Sequence, residues 1–401
     1  MGATPRGSEL ISAPGEDLVK RTLRLALVLS ALGFAGGCVS LTPAQKDTVV
    51  DVQGFADATA AAYRMMRIPV TVQAPTNLGI GGVYRQGNFF LNANALDSGH
   101  LTALVAHELG HYVLGHEPTS GVSMAELLKA QEVRELDANA KAVEIMMRVK
   151  GMPQPQAVRT MVVYLRSVQT AQSRGQPSTP GHRPPSEEIA DLLMRFPEPT
   201  APTGPQSAGS SSPSAAAPII VPAWKPGDQW TFWSDSPRGS TTFVWSVDRE
   251  EVVDGTAYYV ITAGPTRQEP AREFFYQTTD LAWRMLKVNG ALQSSAEPPQ
   301  LRYVWPLTVG GAWEQTVVVT TVRQGTSSTE TNARACRVTG EETVTVAGGI
   351  YRTIKTVCRD KTTNDVVYEM WYAPEAKHWV KEWTKYPWGV MEREVMRVKV
   401  K

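Results

Sequence analysis

The feature that most limits what this chain can become is residues 197–222, a run dominated by Pro, Ser, Ala and Gly. Such a stretch has no apolar face to bury and no means to build a core, so it reads as a linker. It separates two parts of different texture. Before it, apolar residues recur at helical spacing; after it, β-branched and aromatic residues alternate. At 401 residues, with 42% hydrophobic and 20% charged content, the composition is that of ordinary globular domains. A net charge of +1 gives no reason to expect a nucleic-acid partner. The expected division is an N-terminal extension and signal segment over 1–38, a mainly helical domain over 39–196, the linker, and a β-rich domain over 223–401.

The first residues, 1–19, are polar and carry no structural signal. Lys20, Arg21 and Arg24 then precede an apolar run that ends in small residues at Cys38. At about fourteen residues this run is too short to span a bilayer and reads as a secretory signal. Ala35-Gly36-Gly37-Cys38 resembles the lipobox of bacterial lipoproteins, which implies a lipidated Cys38 at the mature N-terminus. Val39, where inner-membrane retention uses Asp, points to the outer membrane, with the chain tethered in the periplasm. Ordinary signal cleavage leaving a free Cys38 is the alternative. Of the remaining thiols, Cys336 and Cys358 form an even pair in an oxidising compartment, which suggests a disulfide between neighbouring strands; two unpaired buried thiols are the other reading.

In the helical part stands His107-Glu108-Leu109-Gly110-His111. Imidazoles four residues apart lie about 40° apart around a helix axis, so both can reach one metal ion. A carboxylate next to the first His can take a proton from a metal-bound water. Leu101, Leu104, Val105, Leu109 and Val113 supply a helical apolar face, and Gly115 supplies a stop. His116, about 140° from His111, points away from the metal face, and His100 lies too far along the axis. Catalytic zinc takes a third protein ligand, commonly Glu. The next helix opens with the capping box Ser123-Met124-Ala125-Glu126 and carries Glu135, with Glu132 and Asp137 as rivals.

With Glu135-Leu136-Asp137-Ala138-Asn139 on that helix, the pattern resembles the family M48 zinc metallopeptidases, whose third ligand stands in E-x-x-A-D. Asn139 replaces the family's Asp, a change also found in M78-type peptidases. Residues 82–92 are similar to the family's hairpin before the metal helix, and residues 182–189 to its Thr-His-Pro segment. The resemblance covers roughly residues 42–196. It implies an α+β fold, with a zincin-like helical domain and a small β hairpin or sheet. It also implies one Zn²⁺ held by His107, His111 and Glu135, with Glu108 as general base and Asn139 orienting a ligand His. His182, Tyr112 or Tyr164 would stabilise the oxyanion. The implied function is a zinc-dependent endopeptidase of the cell envelope, acting on polypeptides such as misassembled envelope proteins. The rival is a zincin scaffold that binds without turnover, motivated by Asn139 and the drifted Thr-His-Pro region.

After Trp224, ten segments between 230 and 400 read as strands, punctuated by Asp254-Gly255, Asn289-Gly290 and Gly348-Gly349. They predict an antiparallel β-sandwich or open barrel. The part weakly resembles β-rich domains of LolA-like shape appended to bacterial lipoproteins. Its many Trp fill a core or line a groove, and the core is the simpler reading.

Overall fold

The protein is described here by a computed structural model covering residues 39–74, 81–85, 87–116, 123–176, 178, 181–197, 218–264, 271–323 and 325–401. The signal segment with Cys38, and most of the Pro/Ser/Ala/Gly stretch, lie outside the described residues.

Helix α1, Pro43–Tyr63, begins where Thr42 Oγ1 accepts from the Gln45 amide and the Gln45 side chain accepts in return from the Thr42 amide. Pro43 costs nothing at the first helical position because its missing N–H would be unpaired anyway. The helix buries Val52, Phe55, Ala56 and Ala60. Three short strands follow: β1 Val70–Gln73, β2 Gly82–Arg85 and β3 Asn88–Asn92. The expected hairpin is β2–β3, and β1 adds to it in parallel on the other side of β3. Helix α2, Leu101–Leu114, is buried from Ala103 to Tyr112. Helix α3, Met124–Lys150, carries the capping box at Ser123 and ends on Gly151 in the left-handed conformation. Two more helices, α4 Gln154–Ser173 and α5 Pro185–Arg195, complete this part.

One glycine sets the spacing of the ligand helices. A Cβ on Gly110 would stand 2.7 Å from the Ala138 carbonyl oxygen, closer than real carbon contacts allow. With only hydrogen there, α2 lies against the α3 backbone, and the residues one turn either side face one another.

The second part corrects the expected fold class. Twelve strands, β4 Gln229–Asp235 to β15 Gly389–Lys399, form a closed antiparallel barrel, not a sandwich or an open barrel beside a zincin-like domain. Each strand pairs with its sequence neighbour, and β15 returns to pair with β4 from Glu392↔Asp235 to Lys399↔Gln229. Closure removes both free edges, which alternation along single strands cannot reveal. This barrel dominates the described residues. Cys336 on β11 Thr326–Val346 faces Cys358 on β12 Gly349–Asp360, and the two are bonded. The aromatic side chains divide: Trp230, Phe232, Trp245 and Trp379 pack with His378 inside, whereas Trp233 faces outward.

Residues 41–401 form one compact unit, because α4 lies along the outer wall of the barrel. At its start Thr160 Oγ1, which donates to the Gln156 carbonyl at 2.8 Å, lies 3.4 Å from the Ala347 carbonyl oxygen, and near its end Thr170 Oγ1 donates to Ser240 Oγ at 3.1 Å. Between them Arg159 grips Glu394 through Nε and Nη2 at 2.7–3.1 Å, beside Trp233.

Candidate metal centre

The close crossing of α2 and α3 brings three donor atoms together. His107 Nε2 and His111 Nε2 are 3.2 Å apart, and Glu135 Oε2 lies 3.1 Å from the first and 3.3 Å from the second. All three residues are buried. Zinc bonds of about 2.0–2.1 Å at tetrahedral angles would set ligand atoms roughly 3.3–3.4 Å apart, so the triangle is one face of such a tetrahedron to within a few tenths of an ångström. Glu135 Oε2 is buried with no partner other than the two imidazole nitrogens, a costly arrangement for a carboxylate oxygen unless a proton or a metal cation completes it. The other oxygen, Oε1, accepts from Gln131 Nε2, which holds the carboxylate with Oε2 towards the imidazoles. The donor set of two His and one Glu fits Zn²⁺.

Each imidazole is fixed from behind. His107 Nδ1 lies 2.8 Å from Asn139 Oδ1, so Nδ1 carries the proton and Nε2 presents its lone pair. Asn139 Nδ2 in turn donates to Glu188 Oε2 on α5 at 3.0 Å. His111 Nδ1 lies 3.0 Å from His116 Nδ1. Burial, and then the neighbouring His111, lower the His116 pKa to about 4, so His116 is neutral and accepts from His111. His182 sits 3.6 Å from both Glu135 Oε1 and Glu188 Oε1.

The electrostatics of the metal-free site match a cation position. Burial pulls the His107 pKa down, but the hydrogen bond and charge of Glu135 pull harder, and it stands at about 9. Burial likewise works against the Glu135 carboxylate, yet the two imidazoles hold its pKa well below the ordinary range. Without a metal the Glu135 carboxylate favours a proton on His107, which a metal ion would have to displace.

The remaining expected site residues are placed as follows. Glu108 Oε2 accepts the Tyr84 amide at 2.8 Å and ties β2 to α2. Glu132 and Asp137, the rival ligands, instead face Arg183 and Arg195. Tyr112 donates to the Met66 carbonyl, and burial raises the Tyr164 pKa, whose ring centroid is 6.5 Å from that of His107. His100 bonds Thr242 on β5 Thr241–Val253, at 3.1 Å. His116 is the residue the sequence reading missed. The helix stops at Gly115, where the His116 amide bonds the His111 carbonyl at 3.0 Å, and a helical wheel no longer applies. The centre opens on a cleft of about 620 Å³ that reaches Tyr84, Tyr164 and His182.

No family model matches the chain, and no curated protein matches it. Three solved structures are similar to it. An exported protein with a YmcC-like fold from Bacteroides fragilis is 14% identical, with a TM-score of 0.30, covering 46% of this chain and 100% of that one. The lipoprotein YmcC from Escherichia coli is 12% identical, with a TM-score of 0.24, covering 43% and 85%. A lipoprotein from Parabacteroides distasonis is 11% identical, with a TM-score of 0.22, covering 46% and 100%. The expected membership of the M48 peptidases is corrected here. No family model supports it, and the described residues are dominated by a closed twelve-strand barrel instead of a zincin-like domain. The zinc-endopeptidase activity, and the general-base role it gave Glu108, fall with that membership.

Proposed function

We propose that this protein is an exported, lipid-tethered Zn²⁺-binding protein that acts by binding and not by catalysis. The observation that carries the reading is the buried triangle of His107 Nε2, His111 Nε2 and Glu135 Oε2, whose carboxylate oxygen has no partner outside it. The ion fastens α2 to α3 and, through Asn139 and Glu188, to the first turn of α5. Three protein ligands would leave a zinc ion room for one further donor atom, and the adjoining cleft would give such an atom of a bound partner access. Export is supported by the basic and apolar signal segment, lipidation by the lipobox-like residues 35–38, and an oxidising compartment by the Cys336–Cys358 bond. Val39 supports the outer membrane as the site of anchoring.

The test is the metal content of the full chain purified from envelope membranes. Wild type carries about one zinc per chain, the number a single three-residue site holds. His107→Ala and Glu135→Gln lose it, while Glu108→Gln, altered outside the triangle, keeps it. Equal zinc in all four proteins would remove the site. Cys38→Ala releases the chain from the membrane fraction; a variant that stays anchored would remove the lipid tether.

A further inference from the structure

The barrel interior holds a second site, independent of the metal. Its aromatic packing fills only part of the space inside the strands. Beside it lies a cavity of about 750 Å³, within the usual size for small-molecule sites. Its mouth lies at the end of the barrel that carries the turns after β12, at 360–366, and after β14 His378–Tyr386.

The charges of this cavity do not balance. Glu382, buried on β14, is shared by two guanidiniums: Arg393 Nη1 at 3.1 Å and Arg302 Nη1 at 3.3 Å. Arg302 also donates to Tyr368 Oη at 2.6 Å, and Arg393 Nε is buried with no hydrogen-bond partner. A third guanidinium, Arg334 on β11, has a single long contact to Asn332 Oδ1 at 3.4 Å. No carboxylate among the described residues stands within ion-pair distance of it. Burial lowers its pKa, an effect that Tyr368, Tyr386 and Glu330 offset only in part, the mark of a cation whose hydration is incompletely replaced.

The acids at the mouth are otherwise engaged. Asp360 accepts from the Thr362 and Thr363 amides, and Asp365 pairs with Lys385. Arg323 and Glu330, both exposed, bring opposite charges to the rim. The cavity is left with three guanidiniums against the Glu382 carboxylate and Asp360, which stands opposite Arg334 in the β11–β12 register, so one positive charge remains over. Uncompensated buried charge is costly, and a guanidinium fork matches a carboxylate or phosphate through paired N–H donors.

We propose that the barrel cavity binds a small organic anion bearing a carboxylate or phosphate group, received by Arg334 with Arg302 and Arg393 behind it. The Cys336–Cys358 bond, next to Arg334 and Asp360 in the strand register, holds the wall that presents Arg334.

Isothermal titration of the full chain tests this, with inorganic phosphate and citrate as probes and sucrose as the neutral control, at constant ionic strength. One or both anions bind saturably and sucrose does not; the tighter anion assigns the head group. Arg334→Gln weakens that binding at least ten-fold, while the ligand-free protein melts no lower, because a desolvated charge has been removed. Arg334→Lys, which keeps the charge without the fork, stands in if the Gln variant does not fold, and also binds at least ten-fold more weakly. Absence of saturable binding by both anions, or equal affinity in wild type and the Arg334 variants, overturns the proposal.

Discussion

Asn139 Oδ1 sits 2.8 Å from His107 Nδ1, and this is a position where a carboxylate would serve badly. The same side chain must donate to Glu188 Oε2 at 3.0 Å. An amide accepts from the imidazole and donates to the acid at once, whereas Asp could only accept. Asn139→Asp therefore sets two carboxylates face to face in a buried place. It should cost about 1–3 kcal/mol, and Glu188→Gln in the same chain should recover most of that. Urea denaturation of the two single variants and the double variant checks this; a double variant as unstable as Asn139→Asp would show that the coupling is absent.

Gly110 governs the approach of the helices that carry the ligands. Its alanine variant drives a methyl group into the Ala138 carbonyl. Overpacking of this kind costs about 1–3 kcal/mol, and the forced separation of α2 from α3 should strip the zinc as well. Metal content and a melting curve measured on Gly110→Ala report both effects. Retention of wild-type zinc and stability would mean that the crossing is looser than the structure has it.

The seam between the helical part and the barrel is fixed by Arg159 and Glu394, whose side chain is only 3% exposed. Removing the guanidinium strands a buried carboxylate, so Arg159→Ala should lose about 3 kcal/mol. Replacing both residues by Met removes the charge along with its partner and should recover much of the loss. Chemical denaturation separates the two, and equal instability of the pair and the single variant would contradict the account.

His378 makes the barrel acid-sensitive. Burial among Trp224, Trp230 and Phe232 lowers its pKa to about 3. The unfolded chain takes up this proton near the ordinary imidazole pKa of about 6.5 and the folded chain does not, so the unfolded state binds more protons. Stability from this residue is complete above about pH 6.5 and falls as the pH drops towards 3. Between pH 7 and pH 4 the wild type should lose more stability than His378→Phe. Parallel losses in the two proteins would show that His378 does not carry the effect.

Much of the helical part was legible because its signals are local. Thr42 with Pro43, and Ser123 with Glu126, announce helix starts that the structure uses unchanged. The two imidazoles were legible for the same reason, since i,i+4 spacing acts within one helix, whereas Glu135 stands on another helix and was singled out only by the family resemblance. Two of the twelve strands were not. These are β8, Trp283–Val288, and β9, Ala291–Gln300; β9 has two Pro and only Ala291, Leu292 and Ala296 as apolar residues, without alternation, and its neighbours β8 and β10 Ala312–Arg323 hold it in place. Closure was equally hidden, because the pairing of β15 with β4 joins residues far apart in sequence. His116 was set aside and Glu188 was not singled out because each reaches the centre from outside the ligand helices' regular faces, one past a helix end and the other from a neighbouring helix.

The central claim is a zinc ion between α2 and α3, and X-ray absorption at the zinc edge on the purified full chain tests it most directly. The expected spectrum shows two imidazole nitrogens and carboxylate oxygen at about 2.0–2.2 Å, with no sulfur. One imidazole should be lost in His111→Ala if any metal remains. A spectrum of oxygen ligands alone, unchanged by that substitution, would place the metal elsewhere and contradict the account.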